Sequence, residues 1–193
     1  MADVTDLFDK LLEWPSKKIH MIVTLVAGLS FLILTVLFRV FGNEATATGY
    51  GILDFEFGFT VQQIGIIFNA WNNTIFQQQI LGVYLDFLYI PSYALLLGGL
   101  VLWVTRQLEG NMQQFGLLFT VAPIFAGVFD FIENIGLLLM LNDVNSYING
   151  TAPDLIPLVT SICAFIKFGL LILAIAFFLI SLVYWLIKRK SEN

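Results

Sequence analysis

Charge is scarce in this chain. Only 12% of its 193 residues are charged, against about 25% in soluble domains, which excludes an ordinary soluble enzyme. Basic residues are scarcer still: nine lysines and arginines face fourteen acids, for a formal net charge of −5. No basic footprint exists for DNA or RNA, so nucleic acid is excluded as a partner. The single cysteine excludes an internal disulfide and any CxxC metal site. The single histidine excludes bis-His haem and the paired Glu-x-x-His motifs of di-iron bundles. Walker, nucleophile-elbow and zincin motifs are also missing. No motif therefore points to a metal or a cofactor.

What the chain has instead is apolar length. Hydrophobic residues make up 59% of it. Crossing a bilayer takes about 20 mostly apolar residues. Four segments meet that length: 19–41, 80–104, 115–141 and 155–187. They are too long and continuous for barrel strands, and lipid cannot satisfy an open backbone, so they are read as helices. The expected fold is all-α: one integral membrane domain over 1–193, a four-helix bundle. Residues Val4, Leu7, Phe8, Leu11 and Leu12 recur at helical spacing ahead of the first span. They predict a short amphipathic helix over 3–14 lying on the membrane surface. The acidic N-terminal residues do not match the basic start of a cleavable signal peptide.

Orientation follows from the basic residues. Seven of the nine flank the spans on one side: Lys10, Lys17, Lys18, Arg106, Lys188, Arg189 and Lys190. The loops 42–79 and 142–154 hold no Lys or Arg. The positive-inside rule then predicts both termini in the cytoplasm and the two loops outside a cell membrane. Each loop carries an Asn-x-Thr sequon, at Asn72 and Asn149, a weak mark of the same side.

The first of these loops is about 38 residues long by that reading, and structureless loops of such length are unusual. Val61, Ile64, Ile67, Phe68 and Trp71 share one helical face, with Thr60 as N-cap. They predict an amphipathic helix over about 60–72, lying at the interface or lidding the bundle. Just ahead, Asp54 and Glu56 sit among apolar neighbours; in a strand, both would point to one face.

Ionisable residues inside spans are costly and mark functional sites by default. Here they are Asp86 in the second span, Asp130 and Glu133 in the third and Lys167 in the fourth, with Arg39 near the end of the first. Counted along the helices, all fall in the outer half of the membrane. Asp86, Tyr89 and Tyr93 form one stripe, and Asp130, Glu133 and Asn134 another. Pro91 and Pro123 lie within two turns of the acids and favour kinks and a gap. Together they predict a polar, acidic pocket, with Asp54 and Glu56 as further acidic candidates.

Four roles are open to such a pocket. Its charges can form ion pairs that fix helix register, Lys167 with Asp130 or Glu133 and Asp86 with Arg39. It can hold an amphipathic ligand such as a lipid, isoprenoid or quinone, which suits an aromatic content of 15%. It can do acid–base chemistry on such a ligand. It can pass ions or protons. Ligand binding is the reading carried forward, with a catalytic, an accessory-subunit and a conducting role as alternatives. Membrane lipid is the expected surrounding partner, and an oligomer or a larger membrane complex remains open.

Three stretches, 51–56 (GILDFE), 84–93 (YLDFLYIPSY) and 126–134 (AGVFDFIEN), together resemble a scattered set of prokaryotic four-span membrane proteins with no assigned activity. The resemblance covers about residues 50–140. It implies a four-span fold and a shared acidic layer, and it implies no function.

Overall fold

The computed structural model describes residues 10–191, the side chains of 40–43 excepted. Seven helices follow in order from Lys17 among these residues. They are α1 (Lys17–Ala47), α2 (Ile52–Glu56), α3 (Val61–Ala70), α4 (Asn73–Thr105), α5 (Gly110–Asn142), α6 (Val144–Ile148) and α7 (Leu155–Ser191). Four of them, α1, α4, α5 and α7, are long and apolar enough to cross a membrane. The expected N-terminal helix lies largely outside the described residues; of it, residues 10–13 are helical.

The spanning helices run longer than the apolar segments that announced them. At 31 to 37 residues they reach about 46–56 Å, against about 30 Å of hydrocarbon. α1 continues six residues past residue 41, to Ala47, and α4 starts at Asn73 rather than residue 80. The early start has a local cause: Asn72 Oδ1 accepts the Ile75 N–H at 2.9 Å, an N-cap that hydropathy does not register.

Neighbours in space follow the chain. α1 packs along α4, α4 along α5 and α5 along α7, with α4 also touching α7. The start of α1 and the end of α7 lie at one end of the bundle, here called the terminal end, and α2, α3 and α6 cap the other, the loop end. Close approach depends on missing side chains. A Cβ on Gly136 would collide with Thr160 on α7, and one on Gly99 with Thr24 on α1. His20 ties α1 to α4 as well, its Nε2 lying 2.9 Å from the Gly99 carbonyl.

The largest apolar core sits at the loop end. Phe55, Ile64, Ile67, Phe68, Trp71, Met140 and Tyr147 are all buried there. The amphipathic helix expected over 60–72 is α3, capped by Thr60 Oγ1 on the Gln63 N–H at 3.2 Å. Its apolar face is turned inward onto α2 and α6. Asp154, at the start of α7, accepts the Val61 N–H at 2.9 Å and fixes where α3 begins.

Candidate functional site

The site is built on α5. Asp130, Glu133 and Asn134 stand three and four residues apart, so they share one stripe of the helix, and all three are buried. Facing them, α7 contributes Lys167, which is only 5% exposed. Its Nζ lies 2.8 Å from Glu133 Oε2 and 3.2 Å from Asp130 Oδ1. Glu133 itself is 0% exposed. The ammonium also stands over the Phe168 ring, 4.6 Å from its centroid, where the π face attracts a cation. Counting along the helices, Lys167 and Asp130 are each about 18 Å from the loop end of their helix, so their depths match.

The sequence reading paired Lys167 with one of the two α5 acids and left the other facing a pocket. Both acids instead bind the lysine, and a third joins them. Glu56 Oε2 reaches to 3.5 Å of Lys167 Nζ. It gets there because the α2–α3 turn is pinned to α7: Ser161 Oγ donates to the Glu56 carbonyl at 2.7 Å and accepts the Phe59 N–H at 3.0 Å. Phe59 holds a left-handed backbone, φ 48°, which bends the chain back across α7. Burial pushes the Glu56 carboxyl above its ordinary value, Lys167 pulls it back, and the Asp130 charge adds to the rise.

The cluster continues onto α4. Tyr93 donates its O–H to Asp130 Oδ2 at 2.8 Å. Asp86 accepts from Asn134 Nδ2 at 2.7 Å. Tyr89 stands one step out: its ring is 5.7 Å from that of Tyr93 and stacks on Phe31 at 5.1 Å, and its hydroxyl lies 3.3 Å from Thr35 Oγ1. Three carboxylates, Glu56, Asp130 and Glu133, thus share one buried lysine, while a fourth, Asp86, is held by the Asn134 amide.

Two expected members are elsewhere. Arg39 is exposed on α1 and forms no ion pair with Asp86, whose hydrogen-bond partner is Asn134. Asp54 is exposed and turns back to accept the Gly51 N–H at 2.7 Å, capping α2. The expectation that Asp54 and Glu56 share a face fails because the segment is helical. Residues two apart on a helix are about 200° apart around its axis, so one faces out while the other faces in.

Sequence reading missed Ser161 as the residue that positions Glu56, and Phe168 as a seat for the lysine. It also missed Gln78 and Gln79, which line a cavity beside Glu56 and Asp86. The signal for Ser161 and Phe168 was weak but present: both lie on α7 within two turns of the only lysine in its apolar part.

Cavities flank the cluster. A cleft of about 370 Å³ runs between α1, α4 and α7, walled by Phe31, Leu97, Leu171 and Ile175 and closed by Tyr93, Asp130, Lys167 and Glu56. Toward the loop end lies a cavity of about 140 Å³, with Glu56 and Asp86 in its wall. A larger cleft, about 770 Å³, opens at the terminal end beside Lys17, His20 and Arg106. Among the described residues, no three His, Cys, Asp or Glu side chains are grouped to hold a metal ion.

Fold and site together define an integral membrane protein: an all-α four-helix bundle with an ion cluster buried between its spans. Comparison with protein-family models, with curated proteins and with solved structures gave no match to this chain.

Proposed function

We propose that this protein holds an amphipathic molecule in the cleft between α1, α4 and α7. The class is a lipid, an isoprenoid or a quinone: an apolar body with one polar end. The supporting observation is the cleft itself, about 370 Å³ with largely apolar walls and a closed end made by Tyr93, Asp130 and Lys167. Small-molecule sites have this character, mostly apolar lining with a few convergent polar groups. The apolar body lies against Leu97, Leu171 and Ile175, and the polar end meets the Tyr93 hydroxyl and the Lys167 ammonium. In this reading the loops face outward, both termini are cytoplasmic and the cluster lies in the outer half of a cell membrane, in keeping with the distribution of basic residues.

Native mass spectrometry of the purified protein, with lipid extraction, tests the proposal. A defined amphipathic species should co-purify with the wild type and be lost from Leu171→Trp, which fills the cleft. Bulk lipid alone, equal in both proteins, overturns it. A second reading, acid–base catalysis on the same molecule, is favoured by one observation: Tyr93, Asp130 and Lys167 form a continuous hydrogen-bonded chain that ends at the cleft. Turnover of the recovered species by wild type, abolished in Tyr93→Phe, separates an enzyme from a carrier.

A further inference from the structure

The cavity on the loop side of Glu56 is walled by several polar side chains whose oxygens lack full hydrogen bonding. It measures about 140 Å³ and is enclosed by α1, α2, α4 and α5. That is several times the space a single water needs. Gln79 lines it, is only 5% exposed, and its side-chain amide has no hydrogen-bond partner among the described residues. Gln78 Oε1 is buried there without a hydrogen-bond donor among the described residues, and Glu56 Oε2 has only the Lys167 ammonium, at 3.5 Å. Asp86 has a donor on Oδ2, the Asn134 amide, and none on its other oxygen among the described residues.

Buried acceptors left unsatisfied cost stability, and natural structures rarely keep several in one place. Here they converge on one cavity. Charge points the same way. Three carboxylates share Lys167, Asp86 has only the Asn134 amide, and the one arginine on α1 is exposed and unpaired with Asp86. Water could supply donors but would leave the charge uncompensated in a poorly solvated layer. A positive occupant answers both needs. A hard divalent ion is the poorer fit, since only two carboxylates, Glu56 and Asp86, line the cavity and the rest of its oxygen donors are amides.

We infer that this cavity binds a monovalent cation, held by the oxygens of Glu56, Gln78, Gln79 and Asp86. The same chemistry, one positive charge among oxygen acceptors, fits a sodium ion or the ammonium group of a small amine. The site is separate from the apolar cleft, with the Glu56 carboxylate as the wall between them.

Thermal unfolding of the purified full-length chain in detergent tests this at constant ionic strength. The salts are sodium chloride, methylammonium chloride and N-methylglucamine chloride, whose cation is too bulky for the cavity. Binding to the folded state alone raises the midpoint by mass action. The expected result is a saturable rise of a few degrees in sodium or methylammonium over N-methylglucamine, and which salt gives it identifies the source. Gln79→Leu and Asp86→Asn should each abolish the rise. Gln79→Leu removes an unpartnered amide, so it folds and keeps the test informative if Asp86→Asn does not. Equal midpoints in all three salts overturn the proposal. So does a rise of undiminished size in Gln79→Leu.

Discussion

At the loop end, Phe55, Ile64, Ile67, Phe68 and Met140 are sealed away, and the Trp71 indole N–H is donated to the Tyr50 carbonyl at 2.9 Å. Along the spans, Leu29, Ile33, Phe125, Phe165 and Leu173 point away from the protein. Contacts between the spans are made by Ala126, Ala164, Ala174 and the glycines instead. The difference follows the solvent. Where water is the alternative, large apolar side chains gather and exclude it. Where lipid is the alternative, burying a leucine gains little, so helices associate through close backbone approach and polar contacts. The ion cluster lies just beneath the cap, on the membrane side of this change, and Glu56 enters it from the cap.

Lys167→Met should break the membrane part most severely. It strands three carboxylates, and removal of one partner from a buried pair costs about 3–5 kcal/mol. Adding Glu133→Gln should restore part of that loss, because the charge closest to the lysine goes with it. Unfolding of the single and double variants in detergent reads the coupling; strictly additive losses would mean the cluster does not act as a unit.

Phe68→Ala tests the cap. A buried phenylalanine cut to alanine costs about 3 kcal/mol or more. Phe125→Ala, on the lipid-facing side, should cost less than about 1 kcal/mol, since lipid or detergent fills the gap. Equal losses would remove the distinction between the two regions.

The pH response tests the boundary between them. Burial raises the Glu56 carboxyl above its ordinary 4.5. Above that pH the folded chain holds more protons at this group than the unfolded chain does, so stability falls as pH rises through the folded-state value. The midpoint of the wild type should therefore decline from pH 5 upward more steeply than that of Glu56→Gln. Parallel slopes would mean that burial of Glu56 exerts no such pull.

The smallest effect is expected deep in the terminal half. Ser181 is buried on α7 and its hydroxyl has no hydrogen-bond partner among the described residues. Ser181→Ala should change stability by less than about 1 kcal/mol and in the favourable direction, because it removes an unsatisfied group. A clear loss would reveal a partner for the hydroxyl.

Most of the scaffold was legible because long apolar runs have few physical outcomes. The same holds for α3, whose period and Thr60 cap are local signals. Depth was legible as well: helical rise alone put Asp130, Glu133 and Lys167 in one layer. Partner choice was not. Nothing near Arg39 in sequence indicates that it faces outward, and nothing near Glu56 indicates that Ser161, about a hundred residues away, turns it inward. Gln79 carried no signal of its burial, which comes from a cavity wall shared with Glu56 of α2 and Leu137 of α5.

The sequence by itself determined that four helices cross a membrane and that charges lie within them, because hydrocarbon tolerates no open backbone and few ions. Tertiary structure alone decided which charges meet. An ion pair depends on where side chains from different helices come within about 4 Å, and hydropathy carries no such distance. The α2–α3 turn, locked to α7, brought a third carboxylate to Lys167 and divided the space beside it into an apolar cleft and a polar cavity.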